Sequence, residues 1–435
     1  MKKFLVLFSV ALLTSCMPGN QQLPQSPLLP LLERKSGLIA YIGPDWNIYT
    51  ADQSGKNIVA HTDDALLPNE ATGPFRYYLY PTWSQDSASL GFVAVSGQGT
   101  STTAEVFIAD VEGEATRKVF ESESEQPFYL YWSPDNTNLG FLSSTPDGQS
   151  LIMQTVSSER EERTIIDIGS PYYWSWAPDG KTMIVHAGSS QSTVPEHLSF
   201  LRVDSGIVEQ GLEVLPASFQ TPAWAPDGSR ILLTRLTDDN EKEIIVTDGH
   251  GEFEKVIGSF DLNTAFAWSN DSQMVGYIEG EQPIGAGALG TLHVLDVETS
   301  EEIFQDEDVY AFFWSPDDEM IAYFIPMVSS GATEEQGDTT AQAQQQLLLQ
   351  LKILDVDSGE SRELFTFRPT EQFSGVMPYF DQYHRSATFW SPDSNNLVLS
   401  LLTSENQPGI AIIAASGQLE PRLLTPGYLA FWSWE

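Results

Sequence analysis

A tryptophan followed by a short polar turn recurs along this chain. The turn reads WSQD, WSPD, WAPD or WSND, and in every copy the seventh residue after the tryptophan is aliphatic or methionine. This constant register predicts two antiparallel strands joined by a turn of fixed geometry, since Pro and Asp are favoured at the central positions of tight turns. The seven tryptophans are Trp83, Trp132, Trp176, Trp224, Trp268, Trp314 and Trp390.

Each repeat continues in the same way after its turn. An almost wholly apolar second strand such as LGFLSS is followed by a third strand such as LKILDVDSG, which ends in a Gly or Asp turn, and by a shorter fourth strand. Four antiparallel strands in a repeat of about 45 residues are typical of a β-propeller blade. Each tryptophan is expected to lie between adjacent sheets, which stack about 10 Å apart.

Two incomplete repeats complete one another. Residues 38–61 resemble strands two, three and four of a blade, and YLAFWSWE, residues 428–435, resembles a first strand with Trp432 in the tryptophan position. We therefore predict an all-β, eight-bladed propeller over residues 37–435, closed by pairing of the C-terminal strand with the N-terminal three strands. The 76-residue interval before Trp390 could hide a ninth blade, but the polar, low-complexity segment at about 326–349 indicates an insertion.

The first 36 residues read as a targeting segment and a tether. Lys2 and Lys3 precede a short apolar stretch that runs into LTSC, which resembles a bacterial lipobox ending at Cys16. We expect residues 1–15 to be a lipoprotein signal peptide, Cys16 to carry the lipid, and residues 16–36 to form a Pro-rich tether. The alternative is an ordinary secretory signal that contains a cysteine. Either way the protein is expected to be extracytoplasmic, and the lipid would anchor it on the periplasmic side or at the cell surface.

Charge and cysteine content exclude some classes of partner and bond. The formal net charge of −39 argues against nucleic acid, because phosphate binding needs a basic surface. Cys16 is the only cysteine, so no internal disulfide is possible. The six histidines fall at unrelated places in the repeats, and neither a metal site nor a cofactor is expected.

The repeats resemble those of a known group of proteins. WSPD or WAPDG followed by an aliphatic strand is similar to the TolB-like, or WD-repeat-like, propellers of the bacterial cell envelope. The same repeats resemble the propeller domain of the prolyl-oligopeptidase and dipeptidyl-peptidase IV families. Those peptidases also carry an α/β-hydrolase domain with a G-x-S-x-G motif, and this sequence contains no such motif. The resemblance implies the fold, whereas function must come from a site.

The connections of an up-and-down blade alternate between two faces of the ring. Turns from strand one to two and from three to four lie on one face, which we call the turn face. Connections from strand two to three and from strand four to the next blade lie on the other, which we call the loop face. Long loops on a rigid scaffold often carry binding residues. All predicted long loops fall on the loop face, at residues 62–81, 187–196, 280–290, 326–349 and 368–386.

Two of these predicted loops, GPFRYYLYP and MPYFDQYHR, combine aromatic and charged side chains. Tyr and Arg are enriched at interaction hot spots because they offer large contact areas and directional donors. Alternatively, these aromatics pack on each other over the channel. The candidate partner-binding residues are Arg76, Tyr77, Tyr78, Tyr80, Tyr379, Phe380, Asp381, Tyr383, His384 and Arg385.

Aromatic residues also precede the tryptophans in several first strands, and they line the channel mouth or belong to the core depending on which way they face. The sequence leaves this choice open for Tyr129, Tyr172, Tyr173, Tyr310 and Phe312.

No catalytic constellation is visible in the sequence. We therefore predict a non-catalytic, lipid-anchored binding scaffold, expected to be monomeric, whose partner is an envelope protein, a peptide or a cell-wall component. The alternative is a carbohydrate lyase or hydrolase whose acid and base come from different blades and meet in a loop-face pocket. Asp381, His384 and Arg385 are the only close cluster of acid, base and cation that could serve it.

Overall fold

The chain folds into eight antiparallel sheets arranged as the blades of a ring, which confirms the predicted propeller. The computed structural model describes residues 36–435 apart from positions 69, 71, 113–114, 161, 189–196, 205–207, 285–286 and 330–345. The predicted signal peptide, Cys16 and almost all of the tether lie outside the described residues. Within the described part of the chain, no helix is long and apolar enough to cross a membrane.

Blade 1 combines strands from both ends of the described chain, and blades 2 to 8 follow in chain order. The strands of blades 1 to 4 are β1 (Leu38–Ile42), β2 (Ile48–Asp52), β3 (Val59–Ala60), β4 (Pro74–Trp83), β5 (Ser89–Gln98), β6 (Ser101–Asp110), β7 (Thr116–Ser122), β8 (Pro127–Trp132), β9 (Asn138–Ser144), β10 (Leu151–Ser157), β11 (Arg163–Gly169), β12 (Tyr172–Trp176), β13 (Thr182–Ala187), β14 (His197–Arg202) and β15 (Glu209–Gly211).

Blades 5 to 8 repeat the pattern, and two short helices precede the last blade. Their elements are β16 (Ala223–Trp224), β17 (Arg230–Leu236), β18 (Lys242–Asp248), β19 (Phe253–Ser259), β20 (Thr264–Trp268), β21 (Met274–Ile284), β22 (Gly287–Asp296), β23 (Glu302–Val309), β24 (Ala311–Trp314), β25 (Met320–Ser329), β26 (Gln346–Asp355), β27 (Glu360–Phe367), α1 (Glu371–Val376), a 3-10 turn (Met377–Tyr379), α2 (Phe380–Tyr383), β28 (Asn396–Leu402), β29 (Pro408–Ala414), β30 (Arg422–Pro426) and β31 (Leu429–Trp432), which completes blade 1.

The ring closes as the sequence predicts. Strand β31 pairs antiparallel with β1, and Ile39 lies opposite Trp432. The backbone N–H of Leu38 donates a hydrogen bond to the hydroxyl of Ser433 at 2.8 Å, which extends the contact beyond the last paired strand residues. Blade 1 thus has the sheet order β3-β2-β1-β31, with the C-terminal strand at one edge.

The turn after each repeated tryptophan has a constant backbone conformation. The aspartate three residues after the tryptophan accepts a hydrogen bond from a backbone N–H two residues further on, as Asp86 does from Ala88. The residue between them has a left-handed backbone, a conformation that Gly and Asn adopt most readily. Because this turn has the same shape in every repeat, the second strand always begins at the same distance from the tryptophan. The left-handed residues are Ser87, Asn136, Gly180, Gly228, Ser272, Asp318 and Ser394.

The repeated tryptophans join neighbouring blades, as expected. In five blades the indole N–H donates to the backbone carbonyl of the residue that precedes the tryptophan of the previous blade. In contrast, the indole nitrogen of Trp176 has no hydrogen-bond partner among the described residues. The five bonds are Trp83 to Phe431, Trp132 to Thr82, Trp268 to Ala223, Trp314 to Ala267 and Trp390 to Phe313.

Blade 8 departs from the four-stranded pattern. Strands β28 to β30 form a three-stranded sheet, and the first strand is reduced to a single bridge between Trp390 and Leu397. The backbone N–H of Val398 also donates to the carbonyl of Phe389 at 2.8 Å. The first strand is short because the residues before it are folded into α1 and α2.

Several predicted loops are ordered differently from the expectation. Residues 74–81 belong to β4 and pair with β5, and most of 280–290 forms a hairpin between β21 and β22. The predicted insertion at 326–349 is narrower, because residues 326–329 and 346–349 pair as the ends of β25 and β26. The predicted loop at 368–386 contains two helices, and this part of the prediction is wrong. The loop face is therefore built largely from two features, which are the extended ends of hairpins and the helical segment before blade 8.

Candidate functional site

Residues 370–386, which we call the channel segment, enter the ring from the loop face and lie within the channel. Helix α2 packs against β12, β20 and β24, which are first strands of blades 4, 6 and 7. On another side, the hydroxyl of Tyr129 in blade 3 donates to the backbone carbonyl of Gln382 at 2.5 Å. The ring of Phe380 packs on that of Phe312, with centroids 4.8 Å apart. The channel segment is therefore held by strands from several sides of the ring.

The local sequence explains why this segment is helical. Thr370 caps α1, since its side chain accepts a hydrogen bond from the backbone N–H of Phe373. Glu371 follows in the first turn, where a negative charge is favourable. The residues that point into the ring recur at helical spacing and are all buried: Phe373, Val376, Met377 and Phe380.

A cavity of about 640 Å³ opens on the loop face between the channel segment and blades 1 to 4. We call it the loop-face cavity. Seven of its lining residues are aromatic, and Glu371 is the only charged residue among the described ones. The complete lining is Ile42, Leu79, Tyr80, Phe128, Tyr129, Leu142, Leu151, Pro171, Tyr172, Tyr173, Glu371, Gln372, Gly375, Val376, Tyr379, Gln382, Tyr383 and Leu429.

One position of the repeat accounts for much of this lining. The third residue before each tryptophan is Tyr in blades 2, 3 and 4, and these tyrosines, Tyr80, Tyr129 and Tyr173, all line the cavity. The same position holds Thr or Ala in blades 5 to 8, namely Thr221, Ala265, Ala311 and Ala387. Large side chains in blades 1 to 4, including Leu429 of blade 1, thus surround the cavity, and small side chains in blades 5 to 8 leave room for α2.

Two of these tyrosines lie at β-bulges. Tyr80 and Tyr129 have φ values of 55° and 48°. The register of each strand slips at the same place, between Leu79 and Thr82 and between Phe128 and Leu130. Bulges redirect side chains, and positive φ in a bulky residue costs roughly 1–3 kcal/mol. Blades 2 and 3 therefore have the same β-bulge with a left-handed tyrosine, and both tyrosines line the cavity.

The tyrosines lie close together and stay neutral at physiological pH. The rings of Tyr129 and Tyr383 meet edge to face with centroids 4.7 Å apart. Burial raises the pKa of Tyr383, and the nearby hydroxyls of Tyr80 and Tyr379 raise it further. Burial also raises the pKa of Tyr173, with a smaller contribution from the Asp381 carboxylate. Tyr129 is almost fully buried and its hydroxyl is already bonded to Gln382, so the rings available to a ligand are those of Tyr80, Tyr173, Tyr379 and Tyr383.

The first predicted group of site residues is mostly structural. Arg76 forms ion pairs with Asp64 at 3.1 Å and Glu105 at 2.6 Å, and its Nε donates to the hydroxyl of Tyr78. Tyr78 is buried in the core, and Tyr77 stacks on Phe75 with centroids 6.0 Å apart. These three candidates lie along β4 and are not in the cavity lining. Of this group, only Tyr80 lines the cavity.

The second predicted group divides along the channel. Tyr379 and Tyr383 line the loop-face cavity, whereas Phe380 is fully packed against blade 7. His384 and Arg385 line a smaller cavity, of about 220 Å³, among residues of the turn face.

The structure does not bring Asp381, His384 and Arg385 together as an acid, base and cation. Nδ1 of His384 donates to the backbone carbonyl of Asp381 and not to its carboxylate, and burial lowers the pKa of His384 to about 3. Nη1 of Arg385 donates to Oδ1 of Asn270 at 2.8 Å. Among the described residues no ion pair joins these three side chains. Asp381 is buried, and burial raises its pKa to about 6.

The structure also resolves what the sequence left open. Tyr173 lines the cavity and is partly exposed, Tyr129 and Tyr172 line it but are buried in the core, Phe312 belongs to the core, and Tyr310 packs against the core outside this lining. The sequence does not indicate Glu371 and Gln372 as site residues, because it predicts a loop where they form the start of α1. A signal for the cavity is nevertheless present in the sequence. The third residue before the tryptophan is Tyr in blades 2 to 4 and Thr or Ala in blades 5 to 8. Among the described residues no group of His, Cys, Asp and Glu could hold a metal ion.

The chain is thus an eight-bladed β-propeller with an aromatic cavity at one end of its channel. No family model matches the sequence, and no curated protein is significantly similar to it. Its similarity to solved structures concerns the fold alone.

Three solved structures illustrate this similarity. Dihydro-heme d1 dehydrogenase NirN in complex with DHE is 12% identical, with a TM-score of 0.52, over 95% of this chain and 78% of that one. A prolyl endopeptidase structure is 8% identical, with a TM-score of 0.52, over 81% of this chain and 49% of that one. TolB from Acinetobacter baumannii is 12% identical, with a TM-score of 0.38, over 78% of this chain and 81% of that one.

Proposed function

We propose that this protein is a non-catalytic binding scaffold whose partner inserts a segment into the loop-face cavity. The observation that carries the proposal is the pair of strained tyrosines, Tyr80 and Tyr129, at equivalent bulges facing the cavity. Backbone strain persists when the surrounding structure enforces it, and it is concentrated at functional sites. A volume of about 640 Å³ is in the range of ligand sites on other proteins.

The chemistry of the lining favours binding over acid–base catalysis. Hydrolysis or elimination on a carbohydrate needs two carboxylates, or a base with a cation, near the reacting bond. Among the described lining residues, Glu371 is the only acidic or basic side chain, and burial raises the pKa values of Tyr383 and Tyr173. The carbohydrate-enzyme alternative therefore has the weaker support.

The cellular setting is proposed from the sequence. Cys16 would carry a lipid, and the Pro-rich residues up to 36 would space the propeller from the membrane on its extracytoplasmic side. In that setting the partner is an envelope protein, a peptide or a cell-wall component. The net charge of −39 makes nucleic acid an unsuitable partner.

Site-specific photocrosslinking in cells tests the proposal. A photoreactive amino acid at Tyr379, which is 37% exposed and lines the cavity, should capture a discrete partner. The matched control places the same amino acid at the exposed Ala88 on the turn face. Capture from Ala88 and not from Tyr379 would show that the partner binds the opposite face. Release of unsaturated or shortened oligosaccharide by purified protein would favour the enzyme alternative.

A further inference from the structure

We propose that the loop-face cavity recognises a cationic side chain, an alkylammonium or guanidinium group, presented by a basic peptide segment. This inference rests on the proposed binding function and specifies its chemistry. It follows from what the described lining contains, which is seven aromatic rings and one carboxylate with no Lys, Arg or His. Aromatic ring faces attract cations because their π electrons carry negative charge.

The arrangement of the rings suits a cation better than an anion. Tyr80, Tyr129 and Tyr173 approach from three consecutive blades, and Tyr379 and Tyr383 face them from the channel segment. An anion would find no cationic side chain among the described lining residues. Arg385 of the channel segment lies instead in the smaller cavity toward the turn face, where it donates to Asn270.

Two carboxylates add to the attraction. Glu371 is exposed, lines the loop-face cavity and is the first residue of helix α1. Asp381 is buried behind the lining, near enough to Tyr173 for its charge to raise that pKa. At longer range, the net charge of −39 attracts basic segments and repels acidic ones.

The lining indicates a long side chain on an inserted peptide segment. The cavity lies between first strands of the ring and the helices α1 and α2, and it is open to the loop face. Lys and Arg carry their charge at the end of a long apolar stem, which matches the mixed lining of rings and aliphatic residues such as Leu79 and Val376. A sugar chain is the competing occupant, because sugars also stack on aromatic rings, and the experiment below separates the two.

Binding of matched peptides to the purified propeller tests the inference. The probes are acetylated, amidated pentapeptides Gly-Ser-X-Ser-Gly in which X is arginine, lysine, citrulline, norleucine or glutamate. The peptides are titrated at low ionic strength and binding is detected by saturation-transfer NMR. The arginine peptide should bind at least tenfold more tightly than the citrulline peptide, and the lysine peptide at least tenfold more tightly than the norleucine peptide. The glutamate peptide should not bind.

Variants place the binding in the cavity. Glu371→Gln should weaken binding of the arginine peptide several-fold while leaving the norleucine peptide unchanged, because it removes charge and keeps size. Glu319→Gln is the matched control, since Glu319 is an exposed glutamate in a turn of the opposite face. Tyr173→Leu should weaken binding of both cationic peptides, since it removes a ring and keeps an apolar side chain.

The outcomes distinguish this inference from the proposed function. Equal affinity for the arginine and citrulline peptides would overturn the cationic chemistry and leave the cavity as a neutral peptide site. Binding of a neutral oligosaccharide without binding of any peptide would also overturn it. If none of the peptides binds but photocrosslinking from Tyr379 captures a partner, the inference fails and the binding function stands. Absence of that capture would mean that the proposed function itself fails.

Discussion

The indole N–H of Trp83 donates a hydrogen bond to the backbone carbonyl of Phe431 at 3.2 Å, across the seam of the ring. The two residues are 348 positions apart in the chain. The same tryptophan-to-carbonyl bond joins several pairs of blades that are neighbours in the sequence, and here it joins the two ends of the ring. Ring closure therefore uses both sheet pairing within blade 1 and the tryptophan contact between blades 1 and 2.

The indole hydrogen bond should contribute measurably to stability. Trp83→Phe removes a buried donor that has a partner, whereas Trp176→Phe removes one that has none among the described residues. Both side chains are buried, so the loss of volume is similar. Trp83→Phe should lower the free energy of unfolding by about 0.5–1.5 kcal/mol more than Trp176→Phe. Urea denaturation of the two variants measures the difference, and equal losses would contradict the proposed contribution of this bond.

Deletion of residues 428–435 should open the ring. It removes β31, with Phe431 and Trp432, both buried, and exposes the edge of β1. Loss of a buried Phe or Trp costs about 3–5 kcal/mol each, and free strand edges recruit other chains. We expect a large fall in melting temperature and aggregation, measured by calorimetry and light scattering. A truncated protein that stays monomeric with its melting temperature unchanged would show that β31 does not close the fold.

The sequence predicts the blades much better than the site. The tryptophan register defines eight repeats because turn chemistry and strand burial are local and recur. The channel segment was missed because its helical pattern, from Phe373 to Phe380, is short and is stabilised by packing inside the ring. The bulges at Tyr80 and Tyr129 depend on how each strand pairs with its neighbour, which one strand's sequence does not determine.

Asp381 should make stability depend on pH in a characteristic direction. Burial raises its pKa to about 6, above the value of an unfolded chain. Between about pH 4 and pH 6 the folded state keeps a proton that the unfolded state releases, so this group's contribution to stability falls as pH rises. Two pKa units correspond to roughly 3 kcal/mol.

The variant Asp381→Asn isolates that contribution. It cannot ionise, so its free energy of unfolding relative to wild type should increase by up to roughly 3 kcal/mol between pH 4 and pH 7. His384 also titrates differently in the folded state, but it is present in both proteins and its contribution cancels in the comparison. Denaturation curves at a series of pH values measure the difference. A difference that does not change with pH would contradict a buried, proton-binding Asp381.

The lipid anchor is a prediction from sequence alone. Cys16→Ala should release the protein from membranes or leave residues 1–15 attached, because the thiol that would carry the lipid is absent. Membrane fractionation and the mass of the mature protein measure both effects. Met17→Ala, which keeps the thiol, is the control and should stay anchored. Unchanged fractionation and mass in Cys16→Ala would show that Cys16 carries no lipid.

Two tyrosines of the channel segment should respond differently to truncation. Tyr383 packs edge to face on Tyr129 and is half-buried, whereas Tyr379 is 37% exposed at the cavity. Tyr383→Ala should therefore cost about 2–3 kcal/mol of stability, less than the roughly 3–5 kcal/mol typical of fully buried large aromatics. Tyr379→Ala should change stability by less than about 1 kcal/mol, because exposed side chains bury little area.

Partner capture should show the complementary result. Tyr379→Ala should reduce capture by about tenfold or more, as loss of an aromatic hot spot does, while the protein remains folded. Capture is measured with the photoreactive amino acid placed at Gln372, which also lines the cavity. Arg385→Ala serves as a further comparison, since Arg385 lies in the smaller cavity and its loss should affect folding more than capture. If Tyr379→Ala unfolds the protein as readily as Tyr383→Ala, the exposed ring is part of the core and the loop-face cavity is not preformed for a partner.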